Sequence, residues 1–190
     1  MRLFNRPRLA MNDRVADRLN RFRSRTPSVP KTCFVAPSAI LIGAVSLGEE
    51  TSVWYQAVVR ADINSITIGS RTNIQDGAVL HVANDFPLSI GEEVNCGHQA
   101  VLHACTIEDR VLIGIGAIIL DGAVIGHDSI VGAGALVTKG TAIPPGSMVL
   151  GSPARVIRTL TPEEKTSISQ LAQKYVEVGR FYAGRESTVN

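Results

Sequence analysis

Two of the chain's four histidines, His98 and His103, stand five residues apart in the stretch NCGHQAVLHACTIEDR, and a third, His81, closes the segment VVRADINSITIGSRTNIQDGAVLH. Neutral imidazole is a common zinc ligand, so three histidines in one region raise the chemistry of a metal-activated water. The spacing of five is awkward for a pair on one element. A helix brings together residues three or four apart, and a strand those an even number apart. The element that carries these side chains must therefore be found before their chemistry can be read.

From residue 35 onward the apolar residues keep a period of six. Aliphatics fall at Val35, Leu41, Leu47, Val53 and Val59, then at Ile68, Ile74 and Leu80, then at Ile90, Cys96 and Leu102. The series resumes at Ile107 and runs through Ile113, Ile119, Ile125, Val131, Val137 and Ile143 to Val149. Small or β-branched residues follow four places later, as at Ala78, Ala100, Ala117 and Ala123. Neither a helical stripe nor hairpin alternation repeats in this way. A hexapeptide repeat makes each hexad a short strand and a turn, and stacked coils bury the aliphatic column in a parallel β-helix. The fold class is all-β, and the pattern resembles the β-helix of hexapeptide-repeat proteins, which implies three hexads per triangular coil.

Three hexads per coil assign Leu47, Ile68, Ile90, Ile107 and Ile125 to a first face and Val53, Ile74, Cys96 and Ile113 to a second. Val59, Leu80, Leu102 and Ile119 form the third. His81 and His103 each follow a third-face aliphatic in consecutive coils. They stack at the spacing of neighbouring strands, about 4.8 Å, close enough to share one ion. Arg60 occupies the same column one coil earlier. His98 ends the second face, beside Asp76 of the preceding coil, and projects from another side of the prism. A neighbouring subunit could bring that side against His81 and His103, and a ring of three such heterologous contacts closes as a homotrimer. The spacing of five thus separates a ligand for one interface from a ligand for the next. The repeat gains three residues between Val59 and Ile68, gains four between Leu80 and Ile90, and loses one between Leu102 and Ile107. All three irregularities fall at the corner after Arg60, His81 and His103, and loops on one edge of a repeat commonly mark its working face.

Residues 1–31 form a basic extension, with nine Lys and Arg against two acids, although the net charge of the 190-residue chain is only +2. Met11, Val15, Leu19 and Phe22 have roughly helical spacing there. They fit a short amphipathic helix packed on a neighbour, with a disordered arm or an Arg-rich targeting segment as alternatives. The β-helix is expected over 32–160. After it, LTPEEK has Thr161 as cap, Pro162 at the first helical position and Glu164 completing a capping box. A helix over 161–185 then presents Ile168, Leu171, Ala172, Tyr175, Val178 and Tyr182 as one stripe to the outside of the β-helix. Cys33, Cys96 and Cys105 form no CxxC pair, so a reducing compartment, the cytoplasm, is expected. No apolar run approaches a membrane span, and no recognition motif accompanies the basic extension, so neither membrane nor nucleic acid is expected as a partner. Cys96, Cys105 and His127 read as two core thiols and an ordinary surface residue.

At VVRADINSITIGSRTNIQDGAVLH and GHQAVLHACTI the sequence resembles the γ-class carbonic anhydrases and their bacterial relatives, over roughly residues 30–183. The resemblance implies a left-handed β-helix and Zn²⁺, or Fe²⁺ or Co²⁺, held by His81 and His103 of one subunit and His98 of the next. It implies that Arg60, Asp62 and Asp76 form a polar network near the site and interface, and that Asn73 and Gln75 orient water or substrate. The ion would make a water acidic enough to supply hydroxide for attack on CO₂, giving bicarbonate. Archetypal members move the proton through glutamates on loops beside the site. Here Ile63 follows Asp62, and the loop VANDFPLS offers only Asp85. A hexapeptide acyltransferase, suggested by GSPARVIR, a thioesterase or other hydrolase, and a non-catalytic metal-stabilised scaffold are the alternative functions.

Overall fold

The computed structural model describes residues 13–185, with side chains from 15 to 184. Met11 of the expected amino-terminal helix lies outside the described residues. The hexads fold as expected into short strands that pair in parallel with the strand one coil earlier and one coil later. Leu80 lies opposite Val59 and Leu102, Cys96 opposite Ile74 and Ile113, and Ile90 opposite Ile68 and Ile107. These registers reproduce the three columns read from the period of six. The second face forms its own sheet, and the long strands Ile40–Leu47 and Val58–Ile68 join the other two faces around one edge.

The core is a stack of apolar rungs. Val53, Val59, Ile74, Leu80, Cys96, Leu102, Ile119 and Val131 are fully buried. Each coil buries only a few side chains, so the stability of the prism comes from contacts between coils. The last coil leaves through Ser147–Gly151, which pairs antiparallel with Ala154–Thr159 at the sheet edge.

The second face is covered by α2, Pro162–Arg185. Its amino terminus is the capping box: the Thr161 N–H donates to Glu164 Oε2 at 2.9 Å and the Glu164 N–H to Thr161 Oγ1 at 3.2 Å. The buried line is Ile168, Ala172, Val176 and Gly179, not the full expected stripe. Leu171, Tyr175 and Val178 form its shoulder, and Tyr182 stays exposed against the Phe34 and Trp54 rings. Large aromatics at the first coils hold that flank of the helix away from the sheet, while Gly179 allows close approach to Ser52 and Phe34.

An amino-terminal helix, α1, spans Asp13–Phe22 and packs on the strand Val58–Ile68 of its own chain. The chain beyond it bridges to the sheet, where the Ser28 N–H donates to Val45 O and the Leu47 N–H to Ser28 O.

Candidate metal centre

His81 and His103 are cross-strand partners at the edge of the third face. Their rings lie 5.1 Å apart between centroids, and His81 Nδ1 is 3.1 Å from His103 Nε2. Each ring turns its other nitrogen to a carboxylate. His81 Nε2 lies 3.1 Å from Asp62 Oδ1, and His103 Nδ1 is hydrogen-bonded to Asp121 Oδ1. Arg60 is ion-paired with Asp62.

The protonation of these groups follows from their partners. Burial pushes the Asp62 carboxyl up, but hydrogen bonds from Arg60 and His81 outweigh it and leave the group below its ordinary value. The hydrogen bond from His103 holds Asp121 below its ordinary value as well. Burial holds His81 down, against the pull of Asp62, so its neutral form is favoured. An ionised carboxylate only accepts, and a neutral imidazole has a single N–H. His81 Nε2 and His103 Nδ1 thus face carboxylate acceptors, and His81 Nδ1 faces His103 Nε2 across 3.1 Å, an arrangement in which two neutral rings would turn their lone pairs toward each other. Two acceptors at that distance repel unless a cation lies between them. Tetrahedral Zn²⁺ with bonds of about 2.0–2.1 Å separates two ligand nitrogens by roughly 3.3 Å, so the pair fits such an ion. The paired carboxylates resemble the outer partners that orient metal-bound histidines.

His98 stands elsewhere on the same coil. It ends the second face and its Nδ1 lies 2.8 Å from Asp76 Oδ2, with both side chains partly exposed. Among the described residues no three His, Cys, Asp or Glu side chains of one chain converge as a ligand set. His98 and Gln75 instead line one cavity of about 230 Å³ beside Leu171 and Tyr175 of α2. Asn73 is completely buried beneath α2 and reaches no open space. It accepts from Gln75 Nε2 at 2.9 Å and donates to Asn95 Oδ1 at 2.7 Å, while Asn95 donates to the Ile168 carbonyl at 3.0 Å. This buried amide chain fixes the orientation of Gln75 from behind, so Asn73 positions Gln75 without facing the cavity itself. Burial, and then the charge of Asp76, push the Tyr175 hydroxyl above its ordinary value.

Sequence reasoning missed Asp121 and Asn95. Asp121 lies one residue past the histidine column, which Leu120 occupies in that coil, and only the corner after Ile119 carries it to His103. Asn95 immediately precedes a core position, as Asn73 does, and a pair of amides repeated at one strand position was the available signal. The remaining residues stand as read: Cys96 and Cys105 are core thiols pushed up to about 12 by burial, and His127 pairs with Asp128 on the surface. Asp85, the acidic group of the second loop, is exposed.

Residues 104–139 match the bacterial transferase hexapeptide family of six repeats. "Gamma carbonic anhydrase 2, mitochondrial" of Arabidopsis thaliana is 42% identical over 186 residues, covering 92% of this chain and 67% of that one. A carbonic anhydrase of Geobacillus kaustophilus is 45% identical over 161 residues, covering 85% of this chain and 88% of that one. Among solved structures, a Bacillus cereus protein described only provisionally as an acetyltransferase is 40% identical, with a TM-score of 0.84 over 86% of this chain and 95% of that one.

Proposed function

We propose, from the premise that this chain belongs to the γ-carbonic anhydrase family of enzymes, that it interconverts CO₂ and bicarbonate at a metal site shared between subunits of a homotrimer. The single observation that carries the reading is the approach of His81 Nδ1 to His103 Nε2 at 3.1 Å, with a carboxylate behind each ring. His81 and His103 of one subunit and His98 of the next would hold the ion. Three neutral imidazoles suit Zn²⁺, and Fe²⁺ or Co²⁺ also accept such donors. When bound, the metal supplies a water acidic enough to act as nucleophile near pH 7.

The protein's own residues do the rest. Asp62 and Asp121 each hold one ring nitrogen of their histidine and so leave the other nitrogen turned toward the neighbouring ring. The subunit that brings His98 also brings Gln75, whose amide, held by Asn73 and Asn95, can orient water or CO₂ by hydrogen bonding. Support for the trimer lies on the outside of the third face. Its outward positions are aliphatic in successive coils, and Ile40, Val79 and Ile118 are 49, 40 and 37% exposed. This apolar strip runs between the edge that carries His98 and the edge that carries His81 and His103. Its burial between subunits would remove that strip from water and join the two halves of the site in one step.

The acyltransferase alternative draws on the hexapeptide-repeat match and on the provisional description of the Bacillus cereus structure. It requires no metal. Untagged protein purified anaerobically should carry about one metal per subunit and hydrate CO₂ in stopped flow, and His81→Ala should lose both. Acetyl transfer by a metal-free protein that does not hydrate CO₂ would overturn the proposal.

A further inference from the structure

We infer that α1 belongs to the machinery of the metal centre, with Arg18 as a positioning residue that clamps the bulged stretch carrying Asp62 to the loop that follows His81. The inference rests on the metal-site reading above for its consequence, though not for its geometry. Arg18 Nη1 donates to the Ile63 carbonyl at 3.2 Å and to the Asn84 carbonyl at 2.6 Å. Ile63 directly follows Asp62, and Asn84 lies three residues after His81. One guanidinium nitrogen therefore ties together the loops that extend two consecutive coils.

These loops need such a tie. The ladder between Ile40–Leu47 and Val58–Ile68 pairs Gly43 with Ala61 and then resumes at Val45 with Ile66. Residues 62–65 thus bulge out of register within the strand, and the Asp62 backbone lies in the part that is paired with no neighbouring strand. Asn64 makes the other cross-link: its Nδ2 donates to Ala83 O at 3.1 Å and Asn84 O at 3.3 Å. The Asn84 carbonyl accepts from both residues, so Arg18 and Asn64 close one small network beside the site.

The docking of α1 is built into the body of the protein. Val15, Leu19 and Phe22 are partly buried. Gly43 has φ +80°, and a Cβ there would lie 2.2 Å from the Ala61 carbonyl oxygen and 3.0 Å from that of Phe22. The end of α1 and the start of the first loop therefore meet at a position that admits only glycine. A helix held by its apolar face alone would not require a cation on two loop carbonyls.

The test uses the full-length, metal-loaded protein with Arg18→Met and Arg18→Lys, and with exposed Arg23→Met as control. Arg18→Met should speed hydrogen exchange in segments 61–66 and 82–88 and accelerate metal loss to a chelator by about tenfold, the scale of outer-partner mutations. It should lower kcat for CO₂ with little change in KM. Lysine, whose ammonium can donate to two carbonyls, should restore most of both, and the control should match wild type. Wild-type loop exchange and metal loss in Arg18→Met, or no rescue by lysine, would overturn the clamp. If the wild-type protein binds no metal, the metal-site reading fails, and the loop-exchange comparison still decides the role of Arg18.

Discussion

At the scale of single residues, the proposed site depends on hydrogen bonds that set which imidazole nitrogen is left for a metal. Asp121 would set it for His103, to whose Nδ1 it is hydrogen-bonded. In Asp121→Asn the amide can donate as well as accept, so the ring is free to turn its lone pair outward. The same logic explains why an Asn in place of a catalytic Asp behind a histidine leaves the wrong tautomer. Chelator competition should show metal affinity falling by about 10–100-fold in this variant with the thermal midpoint nearly unchanged. Unchanged affinity would mean that Asp121 is only a surface partner. The three histidines were legible in the sequence because each follows or ends a core hexad, and the six-residue count fixes the coil and the edge. Asp121 was not, because its place beside His103 depends on how a corner turns, which no column records. Asn73 shows the opposite case: the resemblance sets it with Gln75 at the water or substrate, and its complete burial follows only from the helix laid over it.

At the scale of elements, the helices are attached to the prism by different means, and the sequence revealed them unequally. The α2 start was written as Thr161, Pro162 and Glu164, and the box forms as read. Its buried line was displaced because the expected stripe took Tyr175 and Tyr182 as core, whereas their bulk against Trp54 rolls Val176 and Gly179 inward. The Arg158 guanidinium, followed by the Thr161 N–H, draws the Glu164 carboxyl down to about 2 from 4.5. The folded-state value lies below the unfolded one, so this stabilisation is complete above 4.5 and fades as pH falls toward 2. Thermal melts of wild type and Glu164→Gln should accordingly differ at neutral pH and converge across that acidic window. A gap that persists at the acid end would show that the carboxyl's charge is not what anchors the helix start. For α1, the apolar spacing was legible. The partner was not, since contacts with Ile63 and Asn84 join residues 45 and 66 positions apart.

At the scale of the whole molecule, the period of six determined nearly everything inside the prism, because one repeating rung satisfies packing and backbone pairing together. The outside was less legible. A third-face aliphatic at Ile40, Val79 or Ile118 has the same residue type as the core rung beside it, and only the structure shows it pointing to solvent. That strip and the split ligand set make the same claim, that one chain holds two half-sites and the assembly completes them. Complementation tests this most directly. His81→Ala and His98→Ala chains, each prepared alone, should retain little metal and little CO₂ hydration. Co-expressed in equal amounts, they should form mixed trimers in which about one subunit boundary in four joins two intact halves, and metal per chain should recover to about a quarter of wild type, with hydration in proportion. Mixed trimers that recover neither metal nor hydration would contradict a site shared between subunits.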